Sequence, residues 1–135
     1  MKKILLLVIV AATITFVNGQ SLTKRALFLG NSYTYVNDLP QMIADAAAST
    51  NDILIFDSNA PGGYTLQEHS TNSTSLTKIA VGNWDYVVLQ EQSQFPSFPD
   101  WQVEEDVFPY AKELDSIINA ENPCAETVFY MTWGR

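Results

Sequence analysis

The chain has very few of the residues that most often build covalent and ionic sites. Its 135 residues include one cysteine, Cys124, and one histidine, His69. A single cysteine excludes an intramolecular disulfide, so the stability of the fold must come from packing. No histidine or basic residue adjoins Cys124 to activate its thiol, and we therefore predict a small buried residue beside a strand.

Basic residues are also scarce, with seven Lys and Arg against fifteen Asp and Glu and a formal net charge of −8. This balance disfavours binding to nucleic acid or to an anionic surface. The acidic triplet at residues 104–106 is not a good metal site, because neighbouring side chains on a helix diverge around its axis. We interpret it as the solvated start of a helix.

The only long apolar run is at the amino terminus. Lys2 and Lys3 precede apolar residues from Ile4 to Val17, and small residues follow up to Gly19. This pattern is typical of a secretory signal peptide, and the run is shorter than the roughly 20 residues that span a bilayer. We predict a signal peptide over residues 1–19 and a single domain over residues 20–135. The protein is then secreted or periplasmic, with no stable membrane anchor and a net charge of −10 after cleavage.

Apolar runs of strand length alternate with helical patterns through the rest of the chain. The predicted strands are residues 26–29, 53–57, 86–89 and 127–131. The predicted helices are residues 39–49 with an Asp38 cap, 64–80 with an interruption, and 103–118 with a kink or delayed start at Pro109; residues 91–101 form a loop. Such alternation predicts a three-layer α/β/α domain whose parallel sheet is buried on both faces. Because no helix follows the fourth strand, we also expect that the domain is truncated there.

Polar residues follow each of the first three strands, and parallel strands bring such residues to one edge of a sheet. Ser32 follows the first strand and could attack a carbonyl carbon. The backbone N–H groups of Ser32 and Gly63 and the side-chain amide of Gln92 could stabilise the resulting oxyanion. Ser32 could equally be a turn serine that bonds to the next helix.

The motifs at these three positions resemble the conserved blocks of the SGNH, or GDSL-like, serine hydrolases. Gly30-Asn31-Ser32-Tyr33-Thr34 is similar to the first block, Gly63-Tyr64-Thr65 to the second, and residues 84–93 (WDYVVLQEQS) to the strand and loop of the third. Asn31 stands where the family usually has Asp, and Gln92 where it usually has Asn. The residues of the first and third motifs are most similar to those of a secreted bacterial subgroup of this family.

The resemblance implies a flavodoxin-like SGNH hydrolase fold and an esterase that uses neither a metal nor an organic cofactor. It assigns Ser32 as the nucleophile, and the Ser32 and Gly63 N–H groups with Gln92 as the oxyanion hole; Asn31 and His69 are further pocket candidates. The implied substrate is a small-molecule or carbohydrate ester, with carbohydrate O-acetyl groups as one candidate.

The family's general base is not found in this sequence. That base comes from an Asp-x-x-His block, whereas the only histidine here, His69, has Leu66 at the corresponding position. His69 is either a substitute base or a structural residue. The sequence therefore predicts a secreted serine esterase that lacks its base or, alternatively, a binding module that retains the hydrolase pocket. A flavodoxin-like nucleotide binder is a third reading, disfavoured by the net charge and by the few glycines near Ser32.

Overall fold

A computed structural model describes residues 20–132. The predicted signal peptide, residues 1–19, lies outside the described residues. Four strands form one sheet: β1 (Thr23–Leu29), β2 (Ile53–Asn59), β3 (Tyr86–Leu89) and β4 (Glu126–Phe129). Within residues 20–132, no helix is both long enough and apolar enough to cross a membrane.

The sheet is entirely parallel, with the strand order β2-β1-β3-β4. In its register Leu29 lies beside both Asn59 and Leu89, and Leu89 lies beside Phe129. The carboxyl ends of all four strands therefore meet at one edge. This arrangement confirms the predicted α/β class with a parallel sheet.

Six helices connect the strands of the described chain: α1 (Ser32–Tyr35), α2 (Leu39–Ala48), α3 (Leu66–Thr71), α4 (Ser73–Ala80), α5 (Asp100–Asp106) and α6 (Phe108–Glu121). The predicted interruption within residues 64–80 falls at Asn72, whose side chain accepts a hydrogen bond from the Ser75 N–H at 3.0 Å and so caps α4. Pro109 lies in the first turn of α6, where its missing N–H breaks no helical bond, as the delayed start predicted.

One face of the sheet carries the hydrophobic core. Leu27 and Leu29 of β1 and Val87 and Leu89 of β3 are at most 1% exposed. They belong to one cluster with buried residues of α3, α4 and α6, namely Leu66, Ile79, Leu114 and Ile118. These helices thus form a well-packed layer and hold the loops that precede them against the sheet edge.

The opposite face is covered less completely, so the expectation of strands buried on both sides is confirmed for the carboxyl half of β1 and wrong for the edge strands. Among the described helices α2 packs there, beside β2, and an open cavity of about 690 Å³ lies between α2 and the strands. On this face Ala26 and Phe28 of β1 are 3% exposed, whereas Val128 of the edge strand β4 is 39% exposed. Phe129, which the register places on the core face, is 51% exposed as well. A continuous apolar run is therefore not proof of a strand buried on both faces.

Several local predictions were wrong. Cys124 is exposed, in the turn between α6 and β4, because the strand begins only at Glu126. The acidic triplet, residues 104–106, ends α5 instead of starting a helix, since α5 already begins at Asp100 within the predicted loop. Asp38 does precede α2, but its left-handed backbone (φ 51°) leaves its side chain without a capping bond.

Candidate active site

The strand order places a crevice at the carboxyl ends of β1 and β3. The chain runs from β1 outward to β2 and then returns to the other side of β1 to form β3. In open parallel sheets, the loops after two such strands diverge and leave room for a ligand between them. The residues that follow Leu29 and Leu89 therefore occupy the place where a ligand site is expected.

Ser32 is the first residue of α1 and follows β1 by three positions. Within the described chain, neither its hydroxyl nor its backbone N–H has a hydrogen-bond partner. It borders an open cavity of about 500 Å³ whose other lining residues are Tyr33, Val36, Asn37, Leu39, Met42 and Tyr130. A hydroxyl and an N–H that have no partner among residues 20–132 thus share one accessible site.

Asn31 is buried and connects the Ser32 turn to two other segments. Its side-chain oxygen accepts from the Tyr33 N–H at 3.3 Å and from Gln90 Nε2 at 2.9 Å. Its Nδ2 donates to the Tyr64 carbonyl at 2.7 Å. Since Asn31 caps α1 through the N–H of Tyr33, the N–H of Ser32 is left for a ligand. An aspartate could not donate to the Tyr64 carbonyl, which gives a reason for Asn at this position.

Gln90 follows β3 directly and is completely buried beneath the Ser32 turn. Its Oε1 accepts from the Asn31 N–H at 2.9 Å and from Thr34 Oγ1 at 3.0 Å. Its Nε2 donates to Asn31 Oδ1 and to the Glu91 carbonyl. A Cβ on Gly30 would lie 2.7 Å from Gln90 Oε1, so glycine is required for this close approach.

Sequence reasoning did not identify Gln90. A polar residue directly after a buried strand is a signal for a site, but both Gln90 and Gln92 follow β3. The sequence alone does not show which of the two turns inward, because that depends on where the loop leaves the sheet.

Gly63 lies exposed in the loop after β2 with a left-handed backbone (φ 77°), which disfavours other residues there. Its N–H has no acceptor among the described residues. The next residue, Tyr64, binds Asn31 through its carbonyl, and a Cβ on Gly62 would lie 3.6 Å from the Tyr35 hydroxyl. The Gly62-Gly63 loop is therefore held against α1 and the Ser32 turn.

Gln92 is half-buried in the loop after β3. Its N–H donates to a Glu91 carboxylate oxygen at 2.5 Å, and its Oε1 accepts from the Gln94 N–H at 2.7 Å. Its side-chain NH₂ has no acceptor within residues 20–132. Neither Gln92 nor Gly63 lines the cavity that Ser32 borders, so the three expected oxyanion donors share the sheet edge but not that cavity.

His69 is fully buried, and both of its ring nitrogens are engaged. Nε2 lies 2.9 Å from the Gly30 carbonyl, and Nδ1 lies 2.7 Å from Ser75 Oγ. A carbonyl only accepts, so Nε2 carries the proton and Nδ1 accepts from the serine in the neutral ring. Burial lowers the pKa of His69 and favours this neutral form. The ring makes no hydrogen bond to Ser32, and its geometry is that of a structural residue beneath the turn.

Glu91 is a buried carboxylate that the sequence did not single out. Its two oxygens share the single N–H of Leu66, the first residue of α3, at 3.2 and 3.3 Å, and Oε1 also accepts from the Gln92 N–H. Burial raises the pKa of Glu91, while these N–H bonds act in the opposite direction. Glu91 thereby joins the loop after β3 to α3.

Comparison with protein-family models gives no match, and a search of curated proteins gives none either. Function is therefore inferred from the residues and their geometry. Within residues 20–132, no group of three or more His, Cys, Asp or Glu side chains is arranged to hold a metal ion.

Proposed function

We propose that the protein is an exported serine esterase of the SGNH type that hydrolyses ester-linked acyl groups. The observation that carries the proposal is the state of the polar groups at the sheet edge. Ser32 offers a hydroxyl and an N–H that are unbonded within residues 20–132, while both ends of the Asn31 side-chain amide are engaged in fixing the turn. Free reacting groups on a fixed support are what acyl transfer needs.

In this reaction the Ser32 hydroxyl attacks the ester carbonyl carbon, and its proton passes to a general base. The carbonyl oxygen becomes an anion that accepts hydrogen bonds from the N–H groups of Ser32 and Gly63 and from the Gln92 amide. All three donors lack acceptors among the described residues. Each well-aimed donor of this kind lowers the barrier by about 2.7–4 kcal/mol. No metal or organic cofactor takes part.

The base is the component that the described residues do not place beside Ser32. The single histidine of the sequence, His69, uses both ring nitrogens on Gly30 and Ser75. A serine hydroxyl without a base is a weak nucleophile at neutral pH. As part of the proposal, the base is an Asp-x-x-His segment outside these 135 residues, with its histidine oriented by the aspartate.

The engagement of His69 also supports a second candidate, a binding module that retains the pocket without catalysis. In that case the donors at Ser32, Gly63 and Gln92 bind the carbonyl group of an ester ligand and no bond is broken. Both candidates bind a small-molecule or carbohydrate ester, but only the esterase hydrolyses it.

The test expresses the natural reading frame with its leader and measures hydrolysis of an aryl acetate and of an O-acetylated oligosaccharide. We expect Ser32→Ala to abolish hydrolysis and Ser116→Ala, an exposed serine on α6, to leave it unchanged. Hydrolysis that survives Ser32→Ala would refute the esterase. Saturable binding of the acetylated sugar without turnover would favour the binding module.

A further inference from the structure

The Gln90 carboxamide uses its full hydrogen-bonding capacity on the support of the Ser32 turn. Its oxygen accepts two bonds, from the Asn31 N–H and the Thr34 hydroxyl, and its nitrogen donates two, to Asn31 Oδ1 and the Glu91 carbonyl. It is 0% exposed, so water does not compete for these bonds. A buried amide with four partners has one preferred position.

Gln90 and Asn31 form a reciprocal pair. Gln90 binds both the backbone N–H and the side-chain oxygen of Asn31, which fixes the orientation of the Asn31 amide. The remaining Asn31 nitrogen then points to the Tyr64 carbonyl, next to Gly63. The end of β3 is thus linked through one side chain to both loops that carry proposed oxyanion donors.

We propose that Gln90 is a positioning residue that sets the Ser32 nucleophile and the Gly63 donor relative to each other. It does not touch the substrate and acts through Asn31. This inference rests on the proposed esterase function, since it concerns the geometry of that reaction. Because a displacement of about 1 Å costs on the order of 100-fold in rate, loss of Gln90 should lower kcat by about that factor. KM should change by less than about threefold, because ground-state binding does not need this alignment.

The experiment compares four substitutions in the natural exported protein. Gln90→Met keeps the length of the side chain but removes all four bonds. Gln90→Glu keeps an acceptor for the Asn31 N–H and removes the NH₂ donor. Gln94→Glu, at an exposed position in the same loop, controls for the added charge. Thr34→Val removes only the hydroxyl donor to Gln90 and gives a milder variant if either Gln90 variant does not fold.

A pH profile separates positioning from a general loss of stability. The carboxyl group introduced by Gln90→Glu can again donate to Asn31 Oδ1 once it is protonated. The ratio of the kcat of Gln90→Glu to the kcat of the parent should therefore increase as the pH falls from 8 to 5. For Gln90→Met the same ratio should stay flat. His69 and Glu91, the neighbouring groups that titrate, are present in the parent and in both variants. Their effects cancel in the Gln90→Met ratio, whereas the Gln90→Glu ratio also contains their coupling to the new carboxyl group.

The possible outcomes distinguish the esterase proposal from the positioning role proposed for Gln90. If the parent shows no Ser32-dependent hydrolysis, the esterase and the role of Gln90 in it both fail. If hydrolysis depends on Ser32 but a folded Gln90→Met keeps kcat within about twofold, well short of the misalignment cost, only the positioning role is refuted. If the Gln90 variants do not fold, a kcat of Thr34→Val equal to the parent's refutes it. A loss in kcat with KM retained, together with recovery of Gln90→Glu at low pH, supports it.

Discussion

Replacing Gly30 with alanine should destabilise the domain by about 2–5 kcal/mol, and the close packing around this glycine supplies the magnitude. The new Cβ would lie 2.3 Å from Thr34 Oγ1, 2.7 Å from Gln90 Oε1 and 3.1 Å from Gln90 Cβ. Overpacking of this kind costs about 1–3 kcal/mol. Moving Gln90 Oε1 also weakens its bonds to the Asn31 N–H and the Thr34 hydroxyl, each contributing about 1 kcal/mol.

Two neighbouring glycines provide matched controls. A Cβ on Gly62 would meet only the Tyr35 hydroxyl at 3.6 Å, an ordinary contact, so Gly62→Ala should change stability by less than about 0.5 kcal/mol. Gly63 has open space around it but a left-handed backbone (φ 77°), so Gly63→Ala should cost about 1–2 kcal/mol from strain alone. The three substitutions separate steric crowding from backbone strain.

Urea denaturation followed by tryptophan fluorescence measures these differences, since Trp84 is 6% exposed and reports on the core. Adding Thr34→Ala to Gly30→Ala should recover part of the loss, because it removes the atom at 2.3 Å. A Gly30→Ala variant no less stable than Gly62→Ala would show that the turn does not pack as described.

Three further outcomes test other parts of the structure. Burial lowers the pKa of His69 below its ordinary 6.5, so its contribution to stability is complete above that pH and is lost as the pH falls, by at most about 1.4 kcal/mol per pH unit. The stability difference between the parent and His69→Gln should therefore shrink from pH 8 to pH 5.5, and a constant difference in urea titrations would contradict a buried neutral ring. Exposed Cys124 should react fully with a thiol reagent in native buffer, whereas a thiol that reacts only in urea would restore the buried prediction. Leu27→Ala, at a fully buried position on the core face, should cost about 2–5 kcal/mol by urea denaturation, and Val128→Ala, at 39% exposure on the opposite face, under about 1 kcal/mol; equal costs would mean that both faces of the sheet are covered.

Most of the secondary structure could be predicted because its signals are local. The third strand was predicted to the residue, and the break near Asn72 and the late start at Pro109 followed from the preferences of single residues. The errors are at positions whose burial depends on tertiary contacts. Cys124 and Phe129 were expected to be buried, but a sequence does not show which strand forms an edge or how much of a face the helices cover.

The residues of the candidate site were likewise predictable where their signal is local and missed where it depends on tertiary contacts. Ser32 and Gly63 were selected from their positions after apolar strands, and the structure places Ser32 at the start of α1 and Gly63 in a loop, both beyond the same edge of the sheet. Their proposed chemical roles remain predictions. Gln90 was missed because its importance depends on partners 56 and 59 residues away in the chain, Thr34 and Asn31.

By itself, the sequence determined the α/β class, the order of the elements and the residue types available for chemistry. This was possible because the hydrophobic periodicity that distinguishes strands from helices is a property of neighbouring residues. Only the tertiary structure decided what those residues do to one another. It engaged both nitrogens of His69, left the Ser32 hydroxyl and N–H without partners in the described part of the chain, and put Gln90 beneath the turn that carries them. The physical reason is that hydrogen-bond partners and burial are set by the approach of distant segments, which local sequence does not encode.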